Sequence, residues 1–308
     1  MKILITGVSS FTGYHLAKKL SEKNKVYGVI SKNINKYKFN RKLRILNLVK
    51  RIDLVQCDLY KRLKFKNILN KIKPKIIYIN HAYTTRNPNE FNIYKSLEIN
   101  SLCIEEIFIY SSKNNCRVFH TGTNQEYGVN RKYISENTIK KPNTAYGLSK
   151  KIQCDLIEFY SLNLKVNTVS FKLFNLYGTL DEEHKIIQNI IKSLGEKNKV
   201  KLNTNGIQNL DFLNINKFTE IVEKYLKYVQ KNDFEEFIIS SNAKIALKEL
   251  IYKIVDELKL NRRLINFSNK DNNKKIINIG YNKKIKNCLN IDIKMSQMIN
   301  NFIHESKN

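Results

Sequence analysis

The chain has no tryptophan, three prolines and ten glycines among 308 residues. Breakers this sparse exclude collagen-like and Pro/Gly-rich low-complexity chains, and no stretch reads as a flexible linker between independent domains. No apolar run approaches the ~20 residues that a membrane span requires. The five cysteines (Cys57, Cys103, Cys116, Cys154 and Cys288) are scattered and form no Cys-x-x-Cys pair, so neither a disulfide framework nor a zinc ribbon is expected. The five histidines form no His-Glu-x-x-His pattern, and no metal site is expected. Acid is scarce too: 27 Asp and Glu face 55 Lys and Arg, a net charge of +28. The lysines run along the whole length rather than in one block interleaved with aromatics. The excess therefore reads as the drift of a chain written in AT-rich codons, not as a nucleic-acid surface. It would still speed capture of an anionic substrate.

What is present is a chain long enough, and apolar enough at 42% hydrophobic residues, to bury a sizeable core. Met1 runs almost directly into the strand-like Lys2-Ile3-Leu4-Ile5-Thr6. That leaves no room for a signal peptide, and a cytoplasmic address is expected. Strands are expected at 2–6, 25–30, 53–57, 75–80, 117–122 and 166–173. Helices are expected at 11–23, 61–72, 90–114 as one long element, and 145–162 with Asn143 as its cap. The basic stretch 31–51 reads as a loop with a short helix. Strands separated by helices predict an α/β, doubly wound parallel sheet covered on both faces. Ligands in such sheets bind beyond the carboxyl ends of the strands, where Gly7, Asn80, Thr123 and Asn175 fall. After Gly178 the pattern loosens, with helical pieces near 212–228 and 245–258. The expected division is a dinucleotide-binding domain at 1–175, joined by part of 208–240, and a smaller mixed α/β substrate-binding portion at 176–308.

The segment Gly7-Val8-Ser9-Ser10-Phe11-Thr12-Gly13 joins the first strand to the first helix. A pyrophosphate site needs a tight turn, close backbone approach and a helix amino terminus. Gly7 and Gly13 suit the turn and the helix packing; Ser10 stands at the middle position that is normally glycine, with a hydroxyl able to donate to a phosphate. At the end of the second strand, Ser31-Lys32-Asn33 offers a cation and no carboxylate. That favours NADPH, with NAD(H) as second choice, because an acid there would grip the ribose 2'-hydroxyl and repel a 2'-phosphate. Asp58, after the third strand, is a candidate for the adenine amino group or for capping the following helix.

Tyr146 and Lys150 lie four apart in an expected helix and so share a face. A free phenol has a pKa of about 10. A lysine cation ~4 Å away would stabilise the phenolate by up to roughly 4 kcal/mol at an effective dielectric near 20, enough for general acid–base work. Thr123, ending the fifth strand, would hold the substrate oxygen, and Asn100 would help order the lysine.

Taken together, Thr6-Gly7 through Gly13, Asp58, Asn80-His81-Ala82, Asn100, Thr123 through Gly128, Pro142 through Lys150 and Phe174-Asn175-Leu176-Tyr177-Gly178 resemble the extended short-chain dehydrogenase/reductases of the nucleotide-sugar epimerase/dehydratase/reductase group. The resemblance covers most of the first 180 residues and implies a Rossmann fold. It implies Thr123, Tyr146 and Lys150 as the catalytic trio. The cofactor would be held by Gly7, Ser9, Ser10, Phe11, Thr12, Gly13, Ser31, Lys32, Asn33, Asp58, Leu59, His81, Ala82, Asn100, Tyr146 and Lys150. The substrate, a nucleotide-diphosphate sugar, would be held by Tyr83, Thr123, Asn124, Gln125 and Asn175. A homodimer through the two long helices is also implied.

Family members that dehydrate the sugar carry Asp-Glu directly after the catalytic Thr. Asn124 and Gln125 stand there, and amides cannot exchange the protons of an elimination, which argues against a 4,6-dehydratase. Two departures lie farther along: Lys172 replaces an Arg often found before Phe-Asn-x-Tyr-Gly, and Leu210 replaces an Arg before Asp-Phe. The expectation is NADPH-dependent reduction of the C4 ketone of a nucleotide-linked 4-keto-6-deoxysugar, in surface-glycan precursor synthesis. An NAD-dependent nucleotide-sugar 4-epimerase remains the alternative, and a non-catalytic NAD(P)-binding or RNA-binding member of the fold stands behind both.

Overall fold

In the computed structural model of the chain, residues 1–85, 88–128, 133–268 and 277–293 are described. The amino-terminal part alternates strand and helix: β1 (Lys2–Thr6), α1 (Phe11–Leu20), β2 (Lys25–Ile30), α2 (Phe39–Val49), β3 (Asp53–Gln56), α3 (Arg62–Ile72), β4 (Ile76–Ile79), α4 (Ile93–Ser101), α5 (Ile104–Asn114), β5 (Arg117–Thr123), α6 (Ala145–Leu164) and β6 (Thr168–Leu173). Then follow β7 (Asn175–Tyr177), α7 (Ile186–Gly195), β8 (Val200–Leu202), β9 (Asn209–Leu210), β10 (Phe212–Asn214), α8 (Ile215–Tyr225), β11 (Phe234–Ile239), β12 (Ile245–Ala246), α9 (Leu247–Glu257), β13 (Ile265–Phe267), β14 (Ile277–Asn278) and α10 (Lys283–Leu289). None of the described helices is long and apolar enough to cross a membrane.

The chain divides into two compact units: Met1–Gly128, Ile139–Leu173 and Thr219–Phe237 form the first, and Val129–Thr138, Phe174–Phe218 and Ile238–Asn308 the second. The first unit is built on a seven-stranded sheet of order β11-β6-β5-β4-β1-β2-β3. The pairs β1·β2, β1·β4, β2·β3, β4·β5 and β5·β6 are all parallel. Every residue of β4 and of β6 is buried, as expected of strands covered on both faces. On one face, Leu4, Ile77 and Val118 pack with Phe65 and Leu69 of α3, Ile107 and Phe108 of α5 and Ile157 of α6. The strand order reverses between β1 and β4, which opens a crevice at their carboxyl ends.

The second unit has a core of Ile187, Ile190 and Leu194 from α7 with Leu250, Ile251 and Ile254 from α9. Its buried Asp211 accepts from the Ser241 amide and hydroxyl, both at 2.7 Å, the Asn242 amide at 3.0 Å and the Gly280 amide at 3.2 Å. Burial lifts this carboxyl to about 6 against the pull of those bonds. The residue that follows Leu210 is thus a structural anchor.

Three sequence expectations are corrected. The long helix at 90–114 is two helices, because Leu102 leaves the helical region and Cys103 turns left-handed at φ 59°. This break tucks the Cys103 thiol onto the Leu59 carbonyl at 3.1 Å and buries Cys103 and Ile104. Thr144, not Asn143, caps α6, accepting from the Gly147 amide at 3.0 Å. The basic stretch after β2 is a loop followed by a helix, as expected; the helix is the eleven-residue α2, buried through Arg44, Ile45 and Leu48. Finally, 212–228 opens as a strand, β10, before α8 begins.

Candidate active site

The turn after β1 is closed by two glycines with different jobs. Gly7 adopts φ +67°, a left-handed conformation that glycine enters without a Cβ penalty. At Gly13 a Cβ would sit 2.4 Å from the Gly7 carbonyl oxygen, so α1 can approach the turn only without a side chain there. Ser10 caps α1: its hydroxyl accepts from the Gly13 amide at 3.1 Å and from Asn80 Nδ2 at 2.9 Å. Both lone pairs are thereby used, and the hydroxyl proton is what Ser10 has to offer an incoming acceptor. The first-turn amides, Phe11 and Thr12 among them, have no partner within the helix by geometry. This turn fits a dinucleotide pyrophosphate.

Arg44 was not anticipated. Its Nε donates to the Ser9 carbonyl at 2.9 Å from a fully buried position on α2, bracing the turn from behind. Its signal was present as a cation beside Ile45 and Leu48 on the apolar face of a helix that the sequence pattern underrated. Ser31 lies beside Tyr37, whose hydroxyl accepts from the Ser31 amide at 3.2 Å. Lys32 Nζ stands 4.9 Å from the centre of the Tyr37 ring, and Asn33 accepts from the Asn35 amide. Asp58 is exposed and accepts from the Tyr60 amide at 3.2 Å; Lys61 is the residue before α3, so Asp58 does not cap that helix.

His81 and Asn80 are tied to β1 through Thr6, whose hydroxyl lies 2.9 Å from His81 Nδ1 and accepts from the Asn80 amide at 3.0 Å. Ala82 follows. The Tyr83 amide donates to Asn100 Oδ1 at 2.9 Å, and Asn100 Nδ2 reaches Ser149 on α6 at 3.3 Å. The rings of Tyr83, Phe91 and Tyr146 form a ladder of edge contacts at 5.3 and 6.1 Å.

Thr123 caps a short 3-10 turn over Asn124–Tyr127 in a reciprocal box: its hydroxyl accepts from the Gln125 amide, and Glu126 Oε1 accepts from the Thr123 amide at 2.9 Å. The Thr123 hydroxyl donates to Asn124 Oδ1 at 3.3 Å, while Gln125 Oε1 accepts from the Thr144 hydroxyl at 3.0 Å. A Cβ on Gly147 would lie 2.3 Å from the Gln125 carbonyl oxygen. This glycine lets the turn that carries Thr123 dock on the helix that carries Tyr146 and Lys150.

Helical spacing places Lys150 on the face of Tyr146. Among the described residues, Lys150 Nζ donates to Gln153 Oε1 and lies 3.2 Å from His120 Nε2. Gln153 Nε2 is held by the Asn100 carbonyl at 2.8 Å, so Asn100 reaches the lysine through its main chain and a glutamine that the sequence reading missed. Gln153 is three residues from Lys150 on α6, the helical spacing that could have found it. Burial and the Lys150 charge push His120 well below its ordinary value. A neutral ring accepting at Nε2 carries its proton on Nδ1, which then donates to Ser170 Oγ at 3.0 Å. His81 is likewise kept neutral, pushed to about 3 by burial and then by Lys150. Lys150 falls to about 8 through burial, opposed by Glu126. Although the Tyr146 side chain as a whole is only half-buried, protein crowds the phenol, and burial followed by the Glu126 charge lifts it to about 12. Both influences favour the protonated phenol.

Asn175 belongs to the second unit, where its amide and its side chain both donate to the Asp211 carbonyl, at 3.2 and 3.0 Å.

A parallel sheet with a glycine turn at its switch point and a Tyr-x-x-x-Lys helix beside the neighbouring strand end defines a protein of the extended short-chain dehydrogenase/reductase type. The profile of the NAD dependent epimerase/dehydratase family matches residues 3–239, and the chain belongs to that family. It is 26% identical over 223 residues to the uncharacterized UDP-glucose epimerase YtcB of Bacillus subtilis (strain 168), covering 69% of this chain and 68% of that protein. It is 24% identical over 198 residues to the dTDP-4-dehydro-6-deoxyglucose reductase of Escherichia coli, covering 60% of each. In fold it matches the dTDP-glucose 4,6-dehydratase of Bacillus anthracis, crystallised with NAD, with a TM-score of 0.83 at 16% identity over 100% of this chain and 97% of the other.

Proposed function

We propose that the protein is an NADPH-dependent reductase acting on the C4 ketone of a nucleotide-linked 4-keto-6-deoxysugar. One observation carries the reading: the two residues after Thr123 are amides already committed as acceptors, Asn124 to the Thr123 hydroxyl and Gln125 to the Thr144 hydroxyl. Neither can serve as the acid or base of a water elimination, while the protonated Tyr146 suits a single proton donation. The nicotinamide, when bound, supplies the hydride that reduces C4. Thr123 turns its hydroxyl proton from Asn124 Oδ1 to the ketone oxygen, Tyr146 gives that oxygen a proton, and charged Lys150 stabilises the phenolate left behind. Ser31-Lys32-Asn33, without a carboxylate, supports NADPH over NADH. Leu148, Ile152 and Phe159, exposed at 42, 42 and 56% on one face of α6, support a homodimer through that helix.

The test is a panel of nucleotide-linked 4-ketosugars with NADPH or NADH, following loss of reduced cofactor. Tyr146→Phe should abolish turnover and leave cofactor binding intact. The second reading, a 4-epimerase, has the UDP-glucose epimerase relative in its favour. It predicts epimerised product with no net change in cofactor, and that result would displace the reductase.

A further inference from the structure

Beneath Thr123 lies a buried charge cluster that the proposed chemistry does not use. Glu126 and Lys172 are both fully buried and form an ion pair through Glu126 Oε2. Lys172 Nζ also lies 3.1 Å from Glu236 Oε2 and 2.9 Å from Cys154 Sγ. Glu236 is held in turn by the Tyr127 hydroxyl at 2.8 Å and by Lys140 at 2.7 Å. The fold makes room for the pair: a Cβ on Gly122 would lie 2.6 Å from Lys172 Cδ and 2.9 Å from Glu126 Oε1. Lys172, where a longer guanidinium was expected, is matched to this Glu126. Buried ion pairs contribute little net stability, because desolvation offsets the attraction. The pair calls for another role, and the free oxygen of Glu126 shows one by gripping the Thr123 amide at 2.9 Å.

We propose that Glu126, with Lys172 as its counter-ion, is a positioning residue that poises the site as a proton donor, fixing the Thr123 main chain and setting one buried negative charge against both Tyr146 and Lys150. This rests on the reductase reading. Charged groups reach Lys150 from several elements: Glu126 from the 3-10 turn favours its charge, Lys172 of β6 opposes it, and Cys154 of α6 would favour it as a thiolate, a form that burial disfavours. His120 and His81, on β5 and after β4, are neutral. Glu126 is the carboxylate that acts on both members of the pair, and in the same sense. It favours the protonated phenol and the charged lysine, the states from which a ketone is reduced. An epimerase, which must also deprotonate an alcohol, gains nothing from that bias.

The experiment reads Lys150 directly, without substrate. Protein with lysine carbon-13 labelled at the ε position is titrated by NMR, with Lys150→Met assigning the resonance. The wild-type midpoint should lie near pH 8. In Glu126→Gln it should fall by on the order of one pH unit, and the alkaline limb of the rate profile should move down with it. In Glu126→Gln/Lys172→Met, which buries no unpaired charge, it should settle between the two. A midpoint unchanged in both variants overturns the inference, whatever the enzyme's reaction. A midpoint that falls as expected, with no ketosugar reduced, supports the charge coupling and removes the reductase reading instead.

Discussion

Replacing Lys150 with methionine should abolish turnover and erase a pH dependence of stability. Lys150 is 3% exposed, and burial lowers it from 10.5 to about 8. At about 1.4 kcal/mol per pH unit, that gap is on the order of 3 kcal/mol of destabilisation by the buried ammonium. Below pH 8 both folded and unfolded chains hold the proton, and the whole cost is present. Between pH 8 and 10.5 the unfolded chain binds more proton than the folded one, so stability rises with pH. Above 10.5 both are neutral and the cost is gone. The methionine variant loses the bonds to Gln153 and His120, a penalty of roughly 1–3 kcal/mol that does not vary with pH in this range. Urea unfolding of both proteins from about pH 7 to about pH 9.5 should show the wild type gaining about 2 kcal/mol relative to the variant. Parallel stability curves would mean that Lys150 is not a buried ammonium at neutral pH, and the electrostatic account of the site would fall with it.

Gly147→Ala sets a Cβ 2.3 Å from the Gln125 carbonyl. It should cost roughly 1–3 kcal/mol in overpacking and at least about tenfold in kcat through displaced proton geometry; a variant with unchanged kcat would show that the Thr123–Tyr146 spacing is not fixed there. Ile152→Glu, in the middle of the apolar stripe on α6, should convert a dimer into a monomer in light scattering, and an unchanged mass would place any interface elsewhere.

Much of this protein was legible because its signals are local. Gly7, Gly13 and the alternating apolar runs act on neighbours within a few residues, and the parallel sheet covered on both faces followed from them. The single helix expected at 90–114 failed because Cys103 turns left-handed to bury itself against Leu59, a partner 44 residues away. Periodicity contains no trace of that contact. Gln153 was within reach, since helical spacing sets it beside Lys150. His120 was not, because β5 and α6 meet only in the folded sheet.

The amino-acid order by itself determined the α/β class, the phosphate-type turn at the head of α1 and the assembly of Thr123, Tyr146 and Lys150 into one candidate set. Backbone propensity and helical geometry suffice for the first two and for the Tyr146–Lys150 pair, and the family resemblance joins Thr123 to them. Only the tertiary structure decided their protonation. Lys150 is held by Gln153 and His120, and Glu126 is sealed against Lys172 from β6. The charge a side chain holds depends on how much water is removed from it and which charges face it, and those are properties of packing between distant segments.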